Sequence, residues 1–292
     1  MTDAALGRLR AVTIVCPDYP TATAAYRDYL GYQICESGRV DAALADAWGA
    51  PLAAGARFAW LVPASGADVG IRLIEGPNTA PFRPYSAWGW NAIEIAVSDC
   101  DRAVAQLAQG PFQVVGAPAE LGFSAGALRA GQLVGPSGEV LYLTEIRHQV
   151  PGFVLPPAQC LVDQPFIVIL HAGNAASAIQ SYADQFGNLG TDVFQFPVEF
   201  MAQFQGLPQD HPYTLGTVAL AGGGYFEIDG APAHIGPRQR TPGHLPPGIA
   251  MVTVEGGSSA AVPSSPGPLH AGATARRLDG VAGEWLEVLR ND

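Results

Sequence analysis

Along residues 9–75 the apolar positions switch between strand and helix period four times. Residues 9–16 alternate, with Arg10, Val12 and Ile14 on one side and Ala11, Thr13 and Val15 on the other, which predicts a strand. Asp18 can cap a helix, with Pro20 in its first turn; Ala22, Ala25, Tyr26, Tyr29 and Leu30 then recur at helical spacing, and Gly31 ends the helix. Strands are predicted over 32–36, 57–63 and 69–75, with a short helix around 41–48. This is a β-α-β-β-β unit. It starts again with a strand over 90–97, a helix over 100–109 capped by Asp99, and strands near 113–115, 127–133 and 139–146. Residues 147–164 are Pro-rich and aperiodic and read as a linker. Beyond them a strand over 166–171, a cap at Asn174 and a helix to Phe186 repeat the opening. Gly222, Gly223 and Gly224 read as a hairpin turn between Val218 and Phe226, not as a phosphate loop.

The repetition extends to single residues. Asp18 stands eight before Tyr26 and Gly31 five after it; Asn174 stands eight before Tyr182 and Gly187 five after it. Gly135-x-x-Gly138-Glu139-x-Leu141 is matched by Gly280-x-x-Gly283-Glu284-x-Leu286. Two helix starts and two closing turns in the same order indicate true internal repeats.

Only 14% of the 292 residues are charged, the net charge is −11, and every one of the fifteen basic residues is arginine. Without a basic stripe, nucleic acid and anionic lipid are poor partners. Cys16, Cys35, Cys100 and Cys160 are scattered and form no metal-binding spacing. With no signal-peptide pattern and no membrane-length apolar run, the expectation is a soluble, cytoplasmic protein.

The string Asp18-Tyr19-Pro20 through Tyr26, Leu30, Gly31 and Tyr32, together with the closing turn Gly135-Pro136-Ser137-Gly138-Glu139-x-Leu141, resembles the vicinal oxygen chelate superfamily of glyoxalases, bleomycin-resistance proteins and extradiol dioxygenases. The resemblance implies an α+β fold of tandem βαβββ modules whose curved mixed sheets form cups. It further implies one glyoxalase-like domain over 1–147, a linker over 148–164, and a second domain over 165–292 whose last module is degenerate between Gly256 and Gly280, where Ser and Pro disfavour a helix.

The family's metal ligands, usually His and Glu, carry over poorly. In the first half they fall on Ala11, Ala92, Arg72 and Tyr142; in the second on Ile167, Ala250, Glu227 and Glu287. Alanine offers no donor and arginine repels a cation, so no metal and no cofactor is expected. If successive modules share a cup, alternation turns Thr13, Arg72, Glu94, Tyr142 and Thr144 into one concave face. Arg72 would then orient a carbonyl substrate, Glu94 would remove a proton, and Tyr142 would stabilise the developing charge. A buried Arg72–Glu94 ion pair is the structural alternative. Thr13, Thr144, Trp60, Tyr85, Trp88 and Trp90 are the expected substrate contacts. His171, Glu227 and Glu287 are candidates for a second cup.

These readings predict a metal-independent isomerase, epimerase or lyase acting beside a carbonyl of a small, mostly apolar or aromatic substrate. Alternatives are a sequestering protein of the bleomycin-resistance type, and a metal-dependent dioxygenase-like enzyme using Glu227 and Glu287. The expected partner is a small-molecule substrate or ligand, with a homodimer left open.

Overall fold

In the computed structural model, residues 5–77, 82–256, 269–270 and 272–290 are described. The first unit comprises β1 (Leu6–Cys16), α1 (Tyr19–Asp28), β2 (Gln33–Arg39), α2 (Ala42–Ala47), β3 (Arg57–Val62) and β4 (Gly70–Glu75). The second comprises β5 (Gly89–Val97), α3 (Cys100–Leu107), β6 (Gln113–Glu120), β7 (Leu128–Val134) and β8 (Val140–Ile146). The third comprises β9 (Val162–Ala172), α4 (Ala175–Phe186), β10 (Phe194–Pro197), α5 (Glu199–Gln205), β11 (Pro212–Ala219) and β12 (Tyr225–Gly230). The fourth has β13 (Gly248–Gly256), β14 (Thr274–Asp279) and β15 (Trp285–Arg290). The stretch between Gly256 and Gly280, where the sequence disfavours a helix, lies largely outside the described residues. The caps are those expected: Asp18, Asp99 and Asn174 accept from the first-turn amides of α1, α3 and α4, and Gly187 closes α4 in the left-handed region.

The strands form two sheets, in the orders β14-β15-β13-β1-β4-β3-β2 and β10-β11-β12-β9-β5-β8-β7-β6. The architecture is therefore the expected α+β pair of mixed, cup-forming sheets. The expectation that each half of the chain closes its own cup is overturned. β1 pairs antiparallel with β13, and β5 with β9. The first unit thus shares a sheet with the fourth (cup A), and the second with the third (cup B). The Pro-rich segment after β8 leads to β9 in the same sheet. Which modules share a sheet is set by long-range strand pairing, which the periodicity of one strand does not encode.

One face of each sheet joins a common core. Val12, Ile14 and Leu73 of one sheet, Ile93, Ile95 and Leu170 of the other, and Tyr26, Cys100 and Tyr182 from the helices belong to a single buried cluster. The opposite faces turn to separate clusters, one in the cup of the second sheet and two in the cup of the first.

The repeated motifs meet across this core. Tyr26 on α1 donates to Glu139 Oε1 at 2.8 Å, and Tyr182 on α4 donates to Glu284 Oε1 at 2.7 Å. Each glutamate folds back to accept a turn amide as well, from Ser137 and from Ala282. The tucked carboxyls account for the motif glycines. A Cβ at Gly135 or Gly280 would collide with the carboxyl, while Gly138 (φ 86°) and Gly283 (φ 77°) make the positive-φ turn. In each clasp the tyrosine and the glutamate belong to units in different sheets.

Tyr26→Phe and Tyr182→Phe should each lower stability by about 1–2 kcal/mol in urea unfolding, and the two should add. Burial pushes the Glu139 carboxyl up to about 7 from its ordinary 4.5. The native state then holds a proton that the unfolded chain has released between those values, so stability falls as pH rises through that window. Glu139→Gln has no proton to lose and should flatten that decline, measured as unfolding midpoint against pH.

Candidate functional site

Cup A is closed by its own side chains. Thr13 and Arg72 are level across β1 and β4, and Thr253 and Glu287 across β13 and β15. The Arg72 guanidinium donates to Thr13 Oγ1 at 2.9 Å and to Glu287 Oε2 at 2.9 Å, and lies 4.7 Å above the Trp48 ring. Glu287 also accepts from Trp48 Nε1 at 2.6 Å and from Thr253 Oγ1 at 2.6 Å, and its Oε1 lies 3.0 Å from His270 Nε2. Burial opposes the charge on Glu287, but Arg72, His270 and Thr253 outweigh it and hold the carboxyl far below the usual range. The remaining space is about 210 Å³, bordered by Trp60, Arg72 and His270 among others.

Cup B is open. A cavity of about 640 Å³ is walled by aromatic and aliphatic side chains, with Glu94, Gln132, Tyr142 and Glu227 reaching into it. Strand register sets these out in rows: Ile167, Glu94, Tyr142 and Gln132 are level across β9, β5, β8 and β7. The neighbouring row runs Thr217, Glu227, Ile169 and Ala92. The next holds Asp229 and His171.

Glu94 is buried, and Thr144 Oγ1 donates to its Oε1 at 2.6 Å. Burial pushes Glu94 up to about 7, against the pull of that hydrogen bond. Burial also raises Glu227 well above the usual carboxylate range, helped by the charges of Asp229 and Glu94, and pushes Asp229 up to about 7. The Tyr142 hydroxyl lies 3.4 Å from that of Tyr85. Helix α5 covers this end of the cup: the Phe200 ring packs edge-on to Tyr85 and Tyr142, with centroids 5.6 and 5.2 Å away.

The predicted residues are therefore divided. Glu94, Tyr142 and Thr144 share cup B, while Arg72, Thr13 and Trp60 lie in cup A. The trio Arg72, Glu94 and Tyr142 is not one site, and the buried ion pair expected as its alternative joins Arg72 to Glu287 instead of Glu94. Glu227 and Glu287 also lie in different sheets, which overturns their joint use for a metal. Tyr85 faces cup B. Trp90 does not, because an irregularity in the β5–β9 register between Trp90 and Ala92 turns it into the shared core, where its Nε1 donates to the Trp285 carbonyl. Trp88 packs half-buried against the same core. His171 sits deep beside Tyr85 and does not border the cavity; burial, then the charge of Arg238, lower it to about 4.

Asp229 and α5 were missed. Asp229 was legible, since it stands two after Glu227 and so shares its face. Phe200, Met201 and Phe204 have helical spacing, but seven residues give a weak signal.

The metal-ligand positions do not fit a metal. Ala11 and Ala250 of cup A supply no donor, and Glu287 is committed to Arg72, Trp48 and Thr253. Ala92 and Ile167 of cup B supply none either. Among the described residues no three His, Cys, Asp or Glu side chains are grouped to hold an ion.

A scan against protein-family models finds no match, and neither does a search of curated proteins. Solved structures do match. Glyoxalase I from Zea mays is 13% identical, over 97% of this chain and 92% of that one, with a TM-score of 0.60. A protein from Bacillus subtilis subsp. subtilis str. 168, provisionally named a dioxygenase, is 11% identical over 98% of this chain and 86% of that one, with a TM-score of 0.58. The chain has the vicinal oxygen chelate fold. No helix among the described residues is long and apolar enough to cross a membrane.

Arg72→Met leaves Glu287 without its cation and should cost about 3–5 kcal/mol at neutral pH, and less in acid, where the freed carboxyl takes up a proton. Arg72→Met with Glu287→Leu should recover most of that loss in thermal unfolding.

Proposed function

We propose that this glyoxalase-fold chain is an enzyme that moves a proton beside a carbonyl group, without a metal, on a small and largely apolar or aromatic substrate held in cup B. This is isomerase, epimerase or lyase chemistry. The observation that carries the reading is Glu94: a carboxyl facing an apolar cavity and titrating near 7, where a group can both take and return a proton at neutral pH.

Glu94 removes the proton from the carbon next to the carbonyl. Thr144 occupies Oε1 and fixes the orientation of the carboxylate, leaving Oε2 for the transfer. Tyr142, level with Glu94 on the adjacent strand, donates to the carbonyl oxygen as negative charge develops there. Its hydroxyl is suited to donate because burial, then the charges of Tyr85, Asp229 and Glu227, keep it protonated. The walls of the cavity exclude water and hold the apolar part of the substrate. Arg72, the substrate anchor expected from sequence, has no part in this, because it is bound to Glu287 in the other cup.

Exchange of carbon-bound hydrogen for deuterium, followed by NMR on β-tetralone and phenylacetone, tests this. Exchange should exceed the buffer rate and rise with pH through about 7 as Glu94 loses its proton. Glu94→Gln should reduce it by about a hundredfold or more while the ketones still bind. Bound ketones that exchange no faster than in buffer would refute the enzyme and leave a sequestering protein. Unchanged exchange in Glu94→Gln would refute the assignment of the base.

A further inference from the structure

The two cups treat a buried carboxyl in opposite ways. At the last strand of its first-type unit, cup A places Arg72; at the corresponding position, cup B places Glu227. Cup A thereby supplies the cation that its buried Glu287 needs. Cup B adds carboxyls and supplies no cation. Its cavity is bordered by Glu94, Glu120, Glu199 and Glu227, and by no lysine, arginine or histidine among the described residues. Behind Glu227 lies Asp229, 1% exposed, whose carboxyl is within hydrogen-bond reach of the Glu227 carboxyl and accepts from no other donor among the described residues. Alternation along β12 turns both toward the concave face. Arg238, the half-buried arginine whose charge reaches His171, is committed to the carbonyls of Trp90, Pro247 and Ile249.

A carboxylate taken out of water needs a proton or a cation. The residues around Glu227 and Asp229 provide no cation and are not arranged around a metal. The walls are rich in aromatic rings, with Tyr142, Phe153, Phe166, Phe196 and Phe200 among them. Ring faces attract organic cations, and most strongly where water is excluded.

We propose that cup B recognises an organic cation: a ligand bearing a protonated amine, seated at Glu227 with the Asp229 carboxyl behind it, and with its apolar remainder along the aromatic walls. This rests on the reading of cup B as the ligand site but not on turnover. A cavity of 640 Å³ admits an arylalkyl amine with room to spare.

Three probes on one skeleton test it: phenylbutylamine, phenylbutanol and phenylbutanoate, titrated calorimetrically into the intact chain at neutral pH. The amine should bind at least about tenfold more tightly than the alcohol, and the carboxylate most weakly. Amine binding should also expel a proton from the Glu94, Glu227 and Asp229 group, seen as a dependence of the measured heat on the ionisation enthalpy of the buffer. Asp229→Asn should weaken the amine about tenfold and leave the alcohol unchanged. Should that variant not fold, the comparison of probes on the unaltered chain still decides. Equal affinity for amine and alcohol, tighter binding of the carboxylate, or no binding of the amine at millimolar concentration would each overturn the proposal. Binding is read here without turnover, so an absence of ketone exchange leaves this result intact, and a failure here leaves the role of Glu94 standing.

Discussion

The pairing of β1 with β13 and of β5 with β9 is the constraint on which the rest of the molecule depends. It joins the first unit to the fourth and the second to the third, and so decides which side chains face one another. Each sheet is completed by distant stretches of chain, so neither half can bury its surface alone. The Tyr26–Glu139 and Tyr182–Glu284 clasps run between units in different sheets and lie within the common core. They give the repeated sequence motifs a physical reason. A glycine makes room for the carboxyl, a second glycine turns the chain, and a tyrosine one unit away supplies the hydrogen bond that a buried carboxyl requires.

That wiring produces two cups with different electrostatics. In cup A the positions matched to metal ligands of the resembled fold hold Ala11, Ala250, Arg72 and Glu287, and the last two neutralise each other with Thr13, Thr253, Trp48 and His270 around them. A charge pair with every strong hydrogen-bonding atom satisfied leaves nothing for a ligand to complete. In cup B the equivalent positions hold Ala92, Ile167, Tyr142 and Glu227, with Glu94 and Asp229 close by. Among the described residues bordering the cavity no cation neutralises these carboxyls. The two cups share a fold and differ in whether their charges are already balanced, so function has to be argued from the site and not from the architecture.

Much of this was legible in the sequence. The modules, the caps at Asp18, Asp99 and Asn174, and the inward direction of Arg72, Glu94, Tyr142 and Thr144 are set by local periodicity and by the spacing of motifs. What failed was the assumption that neighbours in sequence share a cup. Alternation fixes the face on which Arg72 and Glu94 lie, but it carries no information on which distant strand lies alongside. Trp90 failed for a local reason, since one irregularity in the β5–β9 register reverses the side on which a residue falls. Asp229 was within reach of the same alternation argument that found Glu227. No metal-ligand position of the resembled fold falls on Asp229, so alternation is the one signal that marks it.

The acidic group of cup B also bears on stability. Glu94, Glu227 and Asp229 all titrate above their ordinary range, with burial the first cause in each. A carboxyl raised in this way makes the folded state hold a proton that the unfolded chain gives up, so each one weakens the fold as pH rises toward neutrality. Cup A shows that this same scaffold can remove such a cost with a single arginine. Three uncompensated carboxyls around one apolar cavity therefore contribute nothing to folding that apolar side chains would not contribute better. Groups that cost stability and are gathered at a cavity belong to what the cavity does. Two uses are consistent with that cost: exchanging a proton with a substrate, which needs a carboxyl poised near neutrality, and holding a cation that the protein does not itself supply. The first falls to Glu94, which Thr144 orients toward the cavity. The second falls to Glu227 and Asp229, where the partner that cup A finds in Arg72 is missing.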